Sequence, residues 1–144
     1  MIEIARISSA GEMAIAHKIR FEVFVDEQRV APELELDEFE DISNHYLAKF
    51  NGTPAGTARW RFTENGVKLE RFAVSKEFRN HGIGSALVEF LLKDIFNHLE
   101  YENKTIYLHA QVDAMRLYSR FGFQKTGNIF DEAGIRHYKM ILEG

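Results

Sequence analysis

The spacing of apolar side chains changes several times along this chain, and each change predicts the boundary of a strand or a helix. Alternating positions or continuous apolar runs indicate strands, whereas spacings of three and four indicate amphipathic helices. The pattern predicts a mixed α/β domain in the order β-α-(α)-β-β-β-α-β-α-β-β. The predicted strands cover residues 2–7, 45–50, 55–62, 67–74, 105–109, 123–130 and 135–142, and the main helices begin after Ser9, at Gly82 and at Asp113.

Capping and turn residues predict where several of these elements begin and end. Ser8 or Ser9 can cap the first helix, and Glu12, three residues after Ser9, completes a capping box. We expect this helix to end near Gln28, before Pro32. Two Asn-Gly pairs predict tight hairpin turns, at positions 51–52 and 65–66.

The composition is that of one globular domain. The 144 residues are 45% hydrophobic and 28% charged, which is enough to build a core, so we predict a single domain over 1–144. A net charge of −4 argues against a nucleic-acid partner. The absence of cysteine excludes disulfides and thiolate chemistry. The start lacks the pattern of a signal peptide and no apolar run is long enough for a membrane, so we expect a cytoplasmic protein without a membrane partner.

The strand, turn and helix of residues 67–98 have the pattern of an anion-binding site. A helix N-terminus exposes backbone N–H groups and the positive end of the helix dipole. Gly82 and Gly84 would let a diphosphate approach the backbone, and Arg79 adds forked donors. A tight turn that binds nothing fits the same spacing equally well. The chain has no P-loop motif, and Leu87 stands where a dinucleotide-binding motif needs its third glycine, so these two classes of nucleotide site are set aside.

Together with its flanks, this turn resembles the central motif of the GNAT acetyltransferase superfamily. In that motif a strand ending in Ala-Val precedes Arg/Gln-x-x-Gly-x-Gly/Ala, and residues 69–74 and 78–87 match it. Ala114 to Phe123 is similar to the second signature of the family, A-x-x-x-Y-x-x-x-G-F. Gln111 departs from the pattern, because many members carry Asn there. The likeness covers nearly the whole chain, and the segments that resemble the small bacterial ElaA-like branch are 20–28, 109–111 and 132–137.

This resemblance implies a GNAT fold, in which a mixed, mostly antiparallel sheet of six or seven strands carries about four helices. The sheet would open into a V between the fourth and fifth strands. Acetyl-coenzyme A would be the acyl donor, with the backbone of Phe72, Ala73 and Val74 pairing with its pantetheine arm. The pyrophosphate would bind at the turn before the long helix, which comprises Arg79, Asn80, His81, Gly82, Ile83, Gly84 and Ser85.

Acyl transfer to an amine needs a base, because an alkylammonium with a pKa of roughly 10 has no free lone pair. Glu70 is the predicted base, since strand alternation places it on the face of Phe72 and Val74. The alternative is an ion pair with a nearby arginine, Arg59, Arg61 or Arg71. Tyr118 matches the family tyrosine that protonates the departing thiolate, and core packing is its alternative role.

The acceptor is expected at the end of the first helix, where the resembled fold forms its acceptor pocket. Arg20, Phe24 and Glu27 lie there, and His109 and His137 are predicted to line the site unless they are structural histidines. No two histidines have the spacing of metal ligands, so we predict no metal. The six acidic residues within 33–41 would attract a cationic amine or form a solvated loop, and charge runs usually do the second.

These features predict an acetyl-coenzyme A-dependent N-acetyltransferase that acts on the primary amine of a small molecule by direct attack on the thioester. Retention of Glu70 and Tyr118 favours an enzyme over a silent acyl-coenzyme A sensor. Arg20 and Val23-Phe24 suggest an acyl-homoserine-lactone-type synthase as a weaker alternative, because the chain is short for one. The resemblance also makes a homodimer through the last strands a possibility.

Overall fold

The computed structural model describes residues 1–143, which form seven strands and four α-helices. The strands are β1 (Ile2–Arg6), β2 (Asn44–Phe50), β3 (Thr53–Thr63), β4 (Gly66–Val74), β5 (Ile106–Gln111), β6 (Phe123–Glu132) and β7 (Ile135–Leu142). The helices are α1 (Ala10–Arg20), α2 (Pro32–Glu35), α3 (Ile83–Phe96) and α4 (Met115–Ser119). A π-helical segment (Phe21–Glu27) extends α1, and single 3-10 turns lie at Lys76–Phe78 and Val112–Ala114.

All seven strands belong to one sheet with the order β1-β2-β3-β4-β5-β7-β6. Every neighbouring pair is antiparallel except β4 and β5, which are parallel. A parallel pair requires a crossover connection, and α3 lies within it. The predicted mixed, mostly antiparallel sheet is therefore confirmed.

Helices cover both faces of the sheet and bury a separate apolar core on each. On one face, α3 packs through Ile83, Leu87, Val88, Leu91 and Ile95 against strand residues that include Trp60, Leu69 and Leu108. On the other face, the core that α1 and the π-helical segment share with the sheet contains Ile19, Val23, Phe24, Leu47 and Ala73.

A β-bulge in β4 changes which side chains share a face of the sheet. Thr57 of β3 pairs with Ala73, but Arg59 pairs with Glu70, so one residue of β3 lies opposite two of β4. Arg71, in the bulge, has a left-handed φ of +59°. Because the extra residue breaks the alternation, Phe72 packs on the α3 side with Leu69. The prediction that Glu70 shares a face with Phe72 and Val74 is therefore wrong.

The predicted ends of most elements lie within a few residues of the observed ones. The Ser9 side chain accepts from the Glu12 N–H at 3.1 Å, which confirms the cap of α1, and the Glu12 carboxylate reaches back to the Ser8 N–H. Asn51 and Gly52 both have positive φ, as a tight hairpin turn requires.

The second hairpin differs from its prediction by one residue. Its connection is Glu64–Asn65, and Gly66 opens β4 with a φ of +135°. A Cβ at Gly66 would lie 2.1 Å from the Thr105 carbonyl oxygen, so only glycine fits where β4 begins to pair. No helix within residues 1–143 is long and apolar enough to cross a membrane.

Candidate active site

The parallel pair β4–β5 separates part-way along its length and leaves a cleft in the sheet. Register pairs join Val67–Leu69 to Ile106–Leu108 and go no further. From Glu70 to Val74, the edge of β4 that faces β5 has no strand partner, so its backbone groups are free to bind a ligand. The cleft has a volume of about 760 Å³, within the range of roughly 300–1,000 Å³ that is typical of small-molecule sites.

Most of the predicted site residues line this cleft. They are Glu70, Phe72, Ala73 and Val74 on β4, Phe24 and Glu27 on the π-helical segment, Arg79, His109, Tyr118 and His137. Arg20 is absent from the lining, and residues 80–85 lie beyond Arg79, where α3 begins. The structure thus brings the proposed catalytic and pantetheine-binding residues together and places the phosphate turn next to them.

The turn before α3 presents backbone donors beside the cleft. Asn80 and Gly82 adopt left-handed φ values of +68° and +82°, and Gly82 is the N-cap residue of α3. The helix's hydrogen bonding begins with the Ala86 N–H to the Gly82 carbonyl at 3.0 Å. The N–H groups of the three residues between them have no acceptor within the helix. A Cβ on Gly82 would meet no atom within 4 Å, so this turn has room for an anion.

Gly84 has a packing role. A Cβ there would lie 3.3 Å from Cδ2 of Leu117 on α4. The missing side chain therefore lets α3 pack closely on α4. The N–H of Gly84 still belongs to the free donors of the turn.

Arg79 closes the space between the turn and the π-helical segment. Its Nε donates to the Val74 carbonyl at 3.1 Å, and its guanidinium forms an ion pair with Glu27. Both contacts lie at the end of β4, where the resemblance puts the pantetheine arm. Arg79 is 41% exposed, which leaves it free to change partners.

Glu70 lies within a group of cations. Its carboxylate accepts from Arg61 Nε at 2.8 Å, from Arg59 Nε at 3.1 Å and from Lys68 at 3.2 Å. Burial alone would raise the pKa of Glu70, but the hydrogen bond from Arg61 and the nearby positive charges outweigh it and lower the pKa to about 2. A carboxylate with so low a pKa is a weak base, so the alternative of an ion pair describes Glu70 better than the predicted base role.

Tyr118 places its hydroxyl at the cleft without a competing partner. The ring is 7% exposed and meets Phe72 edge-on, with ring centroids 5.6 Å apart. Burial is the one cause of its pKa shift, with no hydrogen bond contributing, and no buried side-chain oxygen within residues 1–143 is left unpaired, so the hydroxyl is open to the cleft that the residue lines. Burial raises the pKa of Tyr118, so the phenol stays protonated and can donate a proton or a hydrogen bond.

His109 and His137 share one carboxylate on the opposite wall. His109 Nδ1 lies 3.0 Å from Glu132 Oε1, and His137 Nε2 lies 3.8 Å from Glu132 Oε2. His137 also uses Nδ1 to bond the Ile135 carbonyl at 2.7 Å, which suits a structural histidine. The Nε2 atom of His109 has no protein partner in the described part of the chain, and the ring lines the cleft. His109 is therefore the imidazole available for chemistry.

Half of the acidic run serves neither of the two roles expected of it, and the other half, Glu33, Glu38 and Asp41, is exposed. Half of its six carboxylates form buried or half-buried ion pairs with arginines, in the pairs Glu35–Arg20, Glu40–Arg20, Glu40–Arg59, Asp37–Arg59 and Asp37–Arg71. Because arginines of the protein pair with these three carboxylates, the three neither form a solvated loop nor attract an amine to the surface.

Arg20 is not an acceptor-binding residue. It is 1% exposed, and its guanidinium is held by Glu35 and Glu40. Its position on the apolar face of α1 reflects this buried network, because arginine can be buried when its charge is paired.

A bridge across the cleft was not predicted. The side-chain amides of Gln28 and Gln111 exchange two hydrogen bonds, at 2.8 and 3.2 Å, and link the end of the π-helical segment to β5. Gln111 is the residue that departs from the family pattern. The two positions are 83 residues apart, and no local pattern in the sequence could have paired them.

This geometry is that of a known fold. A family model described as an acetyltransferase (GNAT) domain matches residues 8–143. The chain belongs to the GNAT acetyltransferase family. It is 35% identical to the uncharacterized N-acetyltransferase YjcF of Bacillus subtilis over 129 residues, which cover 89% of this chain and 90% of YjcF.

Solved structures show the same relationship. The crystal structure of Escherichia coli ElaA matches with a TM-score of 0.86 at 26% identity, over 99% of this chain and 100% of the ElaA chain. A GNAT family acetyltransferase from Elizabethkingia anophelis, crystallised with acetyl-CoA bound, shares the fold, with a TM-score of 0.71 at 21% identity over 97% and 94% of the two chains. The expected enzyme class and the likeness to ElaA are confirmed, and the splayed β4–β5 pair is the V of the GNAT fold.

Proposed function

We propose that this GNAT protein transfers an acetyl group from acetyl-coenzyme A to the primary amine of a small acceptor. The observation that carries the proposal is the open edge of β4, flanked by a turn with free backbone donors and by an unpartnered phenol. The structural neighbour from Elizabethkingia anophelis holds acetyl-CoA, and the same donor is proposed here because the chain has the same fold.

The residues of this chain fit the donor at two places. The free edge of β4 from Phe72 to Val74 can pair with the amides of a pantetheine arm, as a further strand would. The free N–H groups at the start of α3 can bind the pyrophosphate, with Arg79 as a charged partner. Arg79 would then exchange the Val74 carbonyl and Glu27 for phosphate oxygens.

The proposed reaction forms one C–N bond and breaks one C–S bond. The amine, as the free base, attacks the acetyl carbonyl, and a backbone N–H near Phe72 stabilises the developing oxyanion. Collapse expels the thiolate of coenzyme A, which takes a proton from the Tyr118 hydroxyl. The proton lost by the amine passes to a base on the cleft wall, directly or through water.

Two residues compete for the role of base, and the geometry favours His109 over Glu70. A neutral imidazole can accept a proton on one ring nitrogen while the other donates a hydrogen bond. Glu132 lies 3.0 Å from Nδ1, so it can orient the ring and stabilise the imidazolium that forms. Glu70 is engaged by three cations, so we propose that it holds Arg61 and Lys68 in place.

Turnover tests the proposal directly. The purified protein, acetyl-coenzyme A and a panel of primary amines should release free coenzyme A in an amine-dependent manner. Tyr118→Phe should slow this release by about 100-fold, and the variant should still bind the donor. Thermal stabilisation by acetyl-coenzyme A with no turnover on any amine would instead identify a sensor domain.

A further inference from the structure

A second hollow lies next to the cleft. It has a volume of about 550 Å³ and shares Phe39, Arg61, Lys68 and His109 with the cleft as lining residues. Sheet register places Arg61 opposite Lys68, Lys68 beside Tyr107, and His109 opposite Lys139. One face of the sheet therefore carries basic side chains from β3, β4 and β7 beside the imidazole of His109.

The charges that line this hollow do not balance. Its charged lining residues are Arg61, Lys68, Lys139 and one carboxylate, Glu64. Arg61 and Lys68 share the Glu70 carboxylate, which Arg59 also contacts. Lys139 has no carboxylate within ion-pair distance in the described part of the chain, and its Nζ lies 5.1 Å from the centroid of the Tyr107 ring.

The two basic groups on β3 and β4 are held in place before any ligand arrives. The Arg61 guanidinium carbon lies 3.6 Å from the centroid of the Phe39 ring, and its Nε is fixed by Glu70. The side chains of Arg61 and Lys68 are only 11% and 14% exposed. Partly buried cations that are rigid and incompletely neutralised bind anions more tightly than mobile surface lysines do.

We propose that the acceptor carries an anionic group, a carboxylate or a phosphate, that binds between Arg61, Lys68 and Lys139 while its amine faces His109. The inference rests on the proposed acetyl transfer and names the substrate class for it. It differs from the cationic acceptor that is one of the two alternatives for the acidic run, because internal arginines pair with three of the six carboxylates in that run.

Matched acceptors test this inference. A series of ω-amino carboxylates of increasing length, together with α-amino acids, should be compared with the amines that lack the carboxylate. A second arm uses the corresponding aminoalkyl phosphates. At least one anionic acceptor should exceed its neutral partner in kcat/KM by about tenfold or more, the gain expected from a charge-assisted contact. Neutral amines that match or exceed their acidic partners throughout the series would overturn the proposal.

Lys139→Gln identifies the site itself. Removing this charge should lower the preference for the anionic acceptor over its neutral partner, measured as the ratio of their kcat/KM values, by about tenfold. Lys125→Gln is the matched control, because Lys125 Nζ also lies over a tyrosine, 4.9 Å from the Tyr138 centroid, but does not line either cavity. Equal losses on anionic and neutral acceptors would contradict the assignment.

A binding experiment separates this inference from the proposed function. N-acetylated amino acids and their neutral amide counterparts can be titrated calorimetrically into the protein saturated with coenzyme A. Preferential binding of the acids, lost in Lys139→Gln, would support the anion site even if no amine were turned over, which would refute only the acetyl transfer. Equal binding of acids and amides would refute the anion site even if turnover were efficient.

Discussion

At the level of single residues, the two candidate bases in the cleft differ: Glu70 loses its proton at very low pH, and His109 has a ring nitrogen without a protein partner among residues 1–143. Hydrogen bonds and charges from Arg61, Arg59 and Lys68 keep the pKa of Glu70 at about 2, whereas Nε2 of His109 opens into the cleft. A base that acts on an ammonium must have appreciable proton affinity near the working pH. These two environments lead to opposite expectations for the pH dependence of the enzyme.

A base that must be unprotonated to act makes kcat/KM rise with pH to a plateau. With His109 as the base, His109→Gln should lower kcat by about 100-fold or more and remove this rise. Glu70→Gln should leave the rise in place, because the pKa of Glu70, at about 2, keeps this carboxyl group ionised near neutral pH. A pH–rate profile of the three proteins makes the comparison, and a rise that survives in His109→Gln would reject His109.

Tyr118→Phe should lower kcat by about 100-fold with little change in the KM for acetyl-coenzyme A, since the lost hydroxyl would act only on the leaving thiolate. No hydrogen bond contributes to the pKa shift of Tyr118, so no protein group among residues 1–143 should lose a partner, and the melting temperature should stay close to that of the original protein. Steady-state kinetics and thermal melts together check this. A large fall in stability with normal kcat would assign Tyr118 to the core alone.

At the level of elements, most of the architecture could be predicted from local patterns. The alternating strands, the Ser9 cap and the Asn51-Gly52 turn depend on neighbouring residues and agree with the structure. The bulge at Arg71 could not be predicted, because an arginine with positive φ is set by tertiary contacts and has no sequence signal. Because the bulge puts Glu70 and Phe72 on opposite faces of the sheet, the predicted face of the candidate base is wrong, although the predicted strand agrees with the structure.

Polar contacts between residues far apart in the sequence could not be predicted either. The motifs identify residues of the cleft, but not the side chains with which these residues form hydrogen bonds and ion pairs. Glu35 with Arg20 and Gln28 with Gln111 each join separate elements, and the spacing of apolar residues carries no information about such polar contacts. From the sequence, the acidic run 33–41 can be interpreted only by its composition. Its ion pairs depend on arginines contributed by α1, β3 and β4.

The start of α3 gives a prediction at this scale. Gly82→Val should abolish stabilisation by acetyl-coenzyme A, because a β-branched residue at a φ of +82° would distort the turn that presents the N–H groups. Gly127→Val is the matched control, since Gly127 has a φ of +75° and equally open surroundings but lies on β6 and presents no helix N-terminus. Thermal shifts with and without the donor provide the measurement. Loss of stabilisation in both variants would point to general strain.

At the level of the whole molecule, a network of ion pairs ties α1, α2 and the loop after it to the sheet. Burial alone would raise the pKa values of Asp37 and Glu40, but hydrogen bonds and charges from Arg59 and Arg20 lower each to about 2. A carboxyl group with a depressed pKa in the folded state stabilises the fold above its unfolded pKa of roughly 4. Stability should therefore be lost as pH falls from about 4.5 towards 2, which unfolding monitored at a series of pH values would show.

Removing one carboxylate from the network should lower the free energy of unfolding. Glu40→Gln leaves the buried Arg20 and Arg59 with fewer carboxylates, and breaking such a pair costs about 3 kcal/mol of unfolding free energy. Glu38→Gln is the control, because Glu38 is exposed and belongs to the same segment. Denaturant unfolding measures both variants, and equal stabilities would mean that the network contributes little.

The ion pair of Arg79 with Glu27 has a consequence for the sequence of binding events. Arg79 forms an ion pair with Glu27 and donates to the Val74 carbonyl. In this position it fills the proposed binding site of the donor, and the Glu27 carboxylate is not free to bind the acceptor. Arrival of the pyrophosphate would release Glu27, which then becomes free to meet the incoming ammonium. We therefore expect a compulsory kinetic order in which acetyl-coenzyme A binds first and coenzyme A leaves last, visible as competitive product inhibition by coenzyme A against acetyl-coenzyme A alone. Glu27→Gln should loosen this order and favour random addition.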